Sequence, residues 1–420
     1  MTNSPLIVIG AGGAGIIAAW RAASLGARVL LLERNRRIGI KILISGGGRC
    51  NITHDGPMEE IRCAFTEREA RFLKPCFYRF TNRDIIRLIE QGGVKTIVRP
   101  NGRVFPETGT AGDVVRVLER LIATPQLHLS MNSPTTAIDH EAGRIIGVRV
   151  GDEVLPANVV ILATGGASYP RTGTTGDGFR WARGLGHTVI PLRPALAPIL
   201  LTPPLPREWQ GVALRGGRLT ARVGGNPIVS RDGDILITHD GISGPAVLEI
   251  ARPAAVALEE GPVSLAYDFF PSIDMAGLDQ ELIGKIEQHR GMRIASLIEQ
   301  WLPNRMIDRF LRSAAIDPAT RGYALTREAR RTIVALFKSW EIGAVREIPL
   351  ERGEVTAGGI SLDEVDPRTM GSRLVRGFFP CGEVLDIAGP VGGYNLQAAF
   401  STGFVAGESA AQLWLGETAT

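Results

Sequence analysis

The chain opens its pattern with four consecutive apolar residues, Leu6–Ile9, and an apolar run of that length reads as a strand buried on both faces. Gly10-Ala11-Gly12-Gly13-Ala14-Gly15 follows, then an alanine-rich helical stretch that ends at Gly26. A second apolar run ends in Glu33. Residues 59–92 and 111–123 read as helices, and Pro100-Asn101-Gly102 as a hairpin turn. From 127 to 163 short alternating runs separated by turns read as a β-meander that returns into a buried strand ending at Ala163-Thr164-Gly165-Gly166. Beyond His187 the periodicity fades among Pro191, Pro194, Pro198, Pro203, Pro204 and Pro206, which places a boundary near 188. Residues 212–270 alternate as strands do, 274–340 read as arginine-rich helices, and a final helix is expected from the Gly392-Gly393 loop to about Leu413.

This order of elements predicts an α/β fold. A Rossmann-type domain is expected over 1–188 and 345–420, interrupted by an insert at 189–344. The insert divides into a small β domain, a barrel or a sandwich (about 189–272), and a helical piece (about 273–344).

Strand, GxGxxG, helix, strand and acid form the dinucleotide fingerprint, and each part has a physical task. Gly10 permits a tight turn, Gly12 lets the backbone approach a pyrophosphate, and Gly15 lets helix pack on strand. The free N–H groups and positive end of the helix favour that phosphate. Glu33 lies where a carboxylate can accept from a ribose diol. Further on, Ser45-Gly46-Gly47-Gly48-Arg49-Cys50-Asn51 suggests close backbone approach to a ligand with polar donors beside it.

The 51 glycines among 420 residues exceed the number, about 30, that an average composition of roughly 7% would give. Many concentrate in these loops and in 165–178, 358–359 and 382–393. The net charge of +4 is mild, and only five of the 47 basic residues are lysine. Four scattered cysteines without CxxC suggest a reduced, cytoplasmic protein. The apolar stretch Leu6–Trp20 is short and broken by Gly10, Gly12, Gly13 and Gly15, so no membrane span is expected. Cys63 and Cys76 read as core residues on helices, and no His/Cys/Asp group has metal-ligand spacing.

The blocks GAGGAGIIAA, KILISGGGRCNIT, ATGGASYPRTGTTGDG, THDGISGP, TAGGI and CGEVLDIAGPVGGYNLQAAFSTG together resemble the BaiN/RdsA-type flavoproteins, also described as aminoacetone-oxidase-like FAD-binding proteins. The resemblance runs end to end and implies a glutathione-reductase-like FAD domain with an inserted barrel and helices. It implies that Gly10, Gly12, Gly13, Ala14 and Gly15 hold the FAD pyrophosphate, with Glu33 and Arg34 at the adenosine and Lys41 near the cofactor. Ser45, Gly46, Gly47, Arg49, Cys50 and Asn51 would face the pyrophosphate and isoalloxazine. Ala137, Thr164 and Gly165 would touch the adenosine, while Gly382, Glu383, Gly393, Asn395, Leu396 and Gln397 would surround the ribityl chain and flavin. Ile40 departs from the family, where arginine is common.

No second GxGxxG follows a strand in 190–345, so NAD(P)H is expected only as a transient donor. The CxxxxC redox pair is absent. His54, Tyr169, His239 and Tyr394 are candidate proton donors. The resemblance implies an FAD-dependent oxidoreductase that reduces an activated C=C bond in a small molecule or in RNA. The alternatives are a flavin amine oxidase using oxygen and a non-catalytic flavin-bearing RNA- or ribosome-associated protein. No DNA partner is expected.

Overall fold

The computed structural model describes residues 4–418 and divides them into two compact units: residues 4–193 with 354–418, and Pro194–Gly353. The first unit is built on a five-stranded parallel sheet. Its spatial order is Phe378–Pro380, Val160–Leu162, Leu6–Ile9, Val29–Leu32 and Leu127–Ser130. The register pairs Ile9 with Leu32 on one side and with Leu162 on the other. All four residues of the first strand are buried, as a strand covered on both faces requires.

Two helices on this sheet position everything that follows. The first, Gly13–Ser24, is lined with alanine and isoleucine that are almost wholly buried. The closing helix, Tyr394–Thr418, lies directly on it. A Cβ on Gly403 would sit 2.3 Å from the Ala14 carbonyl oxygen, and one on Gly407 would sit 2.3 Å from that of Ala18. The two glycines, four residues apart on one face, therefore allow backbone-to-backbone contact. A meander of Thr135–Glu141, Arg144–Val150 and Glu153–Pro156 forms a separate antiparallel sheet.

Behind the sheet, His187 is buried with Nδ1 3.0 Å from Glu364 Oε2 and Nε2 2.9 Å from Ser372 Oγ. Burial lowers the His187 pKa below its ordinary 6.5, against the pull of Glu364. The unfolded chain therefore binds the proton more tightly than the folded one. Stability from this group is complete above the ordinary value and is lost as pH falls through the folded one. Between about pH 7 and about pH 5 the wild type should lose more stability to urea than His187→Gln does, since glutamine does not titrate. Equal losses would show that another group governs the acid limb.

In the second unit six strands close a barrel, in the order Ile199–Thr202, Gly241–Ser243, Asn226–Ile237, Ala213–Val223, Val263–Asp268 and Trp340–Glu347. The sixth strand comes from beyond the helices, where the sequence reading ended the barrel near 272. Gly343-Ala344 interrupts its apolar alternation and hides its period. The helices Met275–Gln288, Asn304–Ser313 and Arg327–Lys338 pack with the barrel into one apolar core. Among the described residues no helix is long and apolar enough to cross a membrane.

Candidate dinucleotide site

The glycines of the first loop divide by what surrounds them. A Cβ on Gly10 would lie 2.6 Å from the Ala163 carbonyl oxygen, and one on Gly15 would lie 1.8 Å from that of Gly10. These two positions are closed by protein. A Cβ on Gly12 would meet nothing within 4 Å. Gly12 is also the N-cap of the Gly13–Ser24 helix, and no side chain caps it. The first N–H groups of this helix have no side-chain cap among the described residues, an arrangement that suits an anion.

Glu33 ends the second strand, 7% exposed. Its Oε2 accepts from the Ala11 N–H at 2.8 Å, and its Oε1 accepts from the backbone and side chain of Asn35 at 2.9 and 2.7 Å. The carboxylate is thus fixed in orientation, and Oε2, which accepts a single bond, keeps room for a further donor. Arg34 turns the other way. Its guanidinium donates to Thr175 Oγ1 at 2.6 Å and Asp177 Oδ2 at 3.0 Å, tying the second glycine loop to the strand end. The Thr175 hydroxyl and then Arg34 hold the Asp177 carboxyl below its usual range, against the effect of burial. Arg34 is therefore a loop tie rather than a free cation.

The segment Ile40–Gly48 begins as a helix and breaks at Ser45, after which Gly46, Gly47 and Gly48 all have φ between 57° and 81°. That left-handed run is open to glycine and strained for other residues. A Cβ on Gly46 would strike the Asn51 backbone nitrogen at 2.8 Å, whereas Gly47 and Gly48 face open space. Arg49 is exposed and makes no ion pair among the described residues. Asn51 Oδ1 and Thr164 Oγ1 are buried without a hydrogen-bond partner among the described residues. Buried polar atoms are normally satisfied, so both oxygens suit a donor group on a bound ligand. The open glycines, the orphaned oxygens, the oriented Glu33 and the free Arg49 suit the phosphates and hydroxyls of a dinucleotide.

Glu383 and Lys41 stand beside this loop. Lys41 Nζ donates to both carboxylate oxygens of Glu383, at 2.9 and 2.7 Å, and to Ser168 Oγ at 2.8 Å. The Thr356 N–H donates to Glu383 Oε1 at 2.8 Å, and Thr356 Oγ1 accepts from the Ala167 and Ser168 N–H groups. Four chain segments meet on one ion pair. Ser168, Thr356 and Asn35 were missed by the sequence reading, because isolated hydroxyls and amides carry no spacing signal.

Other assigned residues are occupied by the protein itself. Gln397 is fully buried. It accepts from Thr53 Oγ1 at 2.7 Å and donates to the Phe80 carbonyl and Ser401 Oγ at 3.2 and 2.9 Å. Asn395 accepts from the Gly389 N–H and donates to the Gly389 carbonyl, shaping the loop before the closing helix. The side chains of Gln397 and Asn395 are thus engaged, and what they and Leu396 offer a ligand is their position at the positive end of that helix. Gly393 at φ +95 lets this helix start touch Thr53, where a Cβ would lie 2.5 Å from the backbone. Gly382 and Gly165 also have positive φ, and a Cβ on Gly382 would lie 2.7 Å from Ala14 Cβ. Ala137 lies at a register shift in the meander strand that pairs it with Arg149.

Cys50 is fully buried, and burial raises its thiol to about 12, with the Ser45 hydroxyl pulling the other way. Cys76 is raised to about 12 and Cys381 higher still, in both cases by burial. Cys63, in contrast, is exposed, correcting its expected place in the core. One thiol of four should therefore react with a thiol reagent in the native protein, and mass spectrometry should find it on Cys63. Rapid labelling of Cys50 would contradict this packing.

Two of the four candidate acids come together. The His54 and Tyr394 rings stack with centroids 4.7 Å apart and 18° between planes. His54 Nδ1 lies 3.1 Å from the Gly392 carbonyl oxygen, which can only accept, so Nδ1 is assigned the donor role; Nε2 lies over Gly102, where a Cβ would come within 2.3 Å of it. Tyr169 sits at φ 49 in the second glycine loop, where its carbonyl accepts from Thr172. His239 belongs to the second unit. It occupies a tight hairpin between Asn226–Ile237 and Gly241–Ser243, not a helix N-terminus, because the helix starts only at Pro245. Its Nε2 lies 3.4 Å from Asp240.

A parallel Rossmann sheet with an uncapped glycine turn, a strand-end carboxylate and a second glycine cradle defines a dinucleotide-binding flavoenzyme fold. The chain belongs to the HI0933-like family of FAD-binding oxidoreductases: the model described as HI0933-like protein Rossmann domain matches residues 4–409. It is 30% identical over 409 residues to the ribosomal RNA dihydrouridine synthase of Escherichia coli K12, covering 96% of each chain. It is 29% identical over 412 residues to the 3-dehydro-bile acid delta(4,6)-reductase of Clostridium scindens, covering 96% of this chain and 98% of that one. Among solved structures it shares the fold of the 3-ketosteroid delta1-dehydrogenase from Sterolibacterium denitrificans (TM-score 0.53, 13% identity, 98% of this chain and 100% of that one). It also shares the fold of the E. coli quinol fumarate reductase FrdA (TM-score 0.53, 17% identity, 99% and 71%).

Proposed function

We propose that the protein reduces a carbon–carbon double bond conjugated to a carbonyl group, in a small enone or in a uridine of RNA, using FAD and a transiently bound NAD(P)H. The observation that carries this reading is the chemistry common to the full-length relatives. One is named for dihydrouridine and the other for a bile acid Δ4,6 reduction, and both products are conjugated double bonds made single. FAD, when bound, supplies hydride chemistry that no side chain has.

The chain's own residues do the rest. The Gly12–Gly15 helix start, Gly47, Gly48 and Arg49 take the pyrophosphate, and Glu33 takes the adenosine ribose. Asn51 and Thr164 satisfy their orphaned oxygens on the cofactor or its waters. Lys41 and Glu383 brace the loops beside it. The N-terminus of the closing helix supplies positive potential on the flavin side. Hydride addition to a conjugated double bond must be completed by a proton, and the His54–Tyr394 pair is assigned that delivery.

Anaerobic mixing of the holoprotein with NADH or NADPH tests the donor half of this reading. Rapid loss of the flavin's visible absorbance is the expected result. Bleaching by a small amine and by neither nucleotide would overturn it in favour of an amine oxidase.

A further inference from the structure

The arginines of the second unit are not equivalent. Arg330 is paired with Asp279 and Arg309 with Glu208, which accounts for their charge. Three others lie on two irregular segments, 290–293 and 320–323, that bond to each other through their backbones, the second running into the short 3-10 helix Gly322–Ala324. The Ile294 N–H donates to the Thr320 carbonyl at 2.8 Å, the Gly322 N–H to Met292 at 2.9 Å, and the Tyr323 N–H to Arg290 at 3.1 Å. Arg293 and Arg321 stand directly opposite each other in an antiparallel bridge. Opposed like charges destabilise a strand pair. Arg290, Arg293 and Arg321 are all exposed and none makes an ion pair among the described residues, although Arg321 also donates to the Gly291 carbonyl. Beside them Tyr323 is 71% exposed and Met292 41% exposed. The two segments contain no acidic residue.

Three exposed guanidiniums without a carboxylate partner, on segments that also expose an aromatic ring, give this surface a local excess of positive charge beside an apolar face. They fit a strand of phosphates with unstacked bases, where arginines take the backbone and the ring takes a base. A-form duplex RNA offers no splayed base for such a ring. We propose that segments 290–293 and 320–323 form a docking platform for single-stranded RNA, with Tyr323 as the stacking face and Arg290, Arg293 and Arg321 as phosphate contacts. The platform deepens the RNA branch of the proposed function and rests on that branch only for its purpose.

The test is fluorescence anisotropy of the holoprotein with a labelled single-stranded RNA oligonucleotide of mixed sequence, at several salt concentrations. Tyr323→Ala should weaken binding on the order of tenfold. Arg293→Gln should lower the slope of log affinity against log salt by about one. A hairpin duplex of the same composition should bind Tyr323→Ala and wild type alike. Since every substituted side chain is exposed, circular dichroism should show an unchanged fold. Single-stranded RNA binding that is unaffected in Tyr323→Ala and in Arg290→Glu/Arg293→Glu, or absent from the wild type, overturns the platform. Flavin reduction by NAD(P)H, measured in the same variants, should be unchanged. Its absence from the wild type would refute the reductase reading without touching the RNA result.

Discussion

Gly12→Val should purify as a folded protein without FAD. The reason is the asymmetry of the glycine turn. A Cβ at Gly12 would meet no protein atom within 4 Å, and Gly12 lies outside the positive-φ region, so the fold should accept a side chain there. The valine methyls would instead fill the space over the helix N-terminus that a pyrophosphate needs. Gly15 is the contrast, because a Cβ there would lie 1.8 Å from the Gly10 carbonyl and force helix and sheet apart. Gly15→Val should therefore lose both fold and cofactor, while Gly12→Val should keep a thermal transition within a few degrees of wild type. The check is flavin content by absorbance together with Tm by circular dichroism. Full FAD occupancy in Gly12→Val would remove the pyrophosphate from this turn.

The second large effect is on substrate turnover. Tyr394→Phe and His54→Gln should each slow substrate reduction by about 10²-fold, the lower range for loss of a positioned acid. The rate of flavin reduction by NAD(P)H should stay the same, since that half-reaction needs no proton from the pair. Phenylalanine keeps the ring stacked on His54, so the loss reads the hydroxyl and not the packing. Rapid-mixing measurement of the two half-reactions separates them. If both variants reduce substrate at wild-type rate, the proton comes from elsewhere. A slowing of both half-reactions alike would point to a displaced cofactor.

Much of the first unit could be read from the chain. Leu6–Ile9, the GxGxxG turn and Glu33 are local patterns in which each residue's physical task depends on near neighbours. The triple glycine at 46–48 was also informative, because three positive-φ residues in a row have few uses besides close backbone approach. What escaped was non-local. Gly403 and Gly407 looked like ordinary helix residues until Ala14 and Ala18 were seen beneath them. Thr356 lies far along the chain from Ser168, yet it joins the same ion-pair cluster. Gln397 sat in a cofactor-like motif, but its amide is engaged by Thr53, Phe80 and Ser401. The barrel's last strand was hidden by Gly343-Ala344, and the lack of an ion-pair partner for Arg293 and Arg321 among the described residues shows only in three dimensions.

The most direct test of the central claim is the oxidative half-reaction. Holoprotein is first reduced anaerobically, then mixed with a conjugated enone or a uridine-containing RNA while flavin absorbance and product are followed. The expected result is recovery of oxidised flavin without oxygen, together with one saturated enone or one dihydrouridine per flavin. Flavin that stays reduced until oxygen or a different electron acceptor is admitted would contradict it.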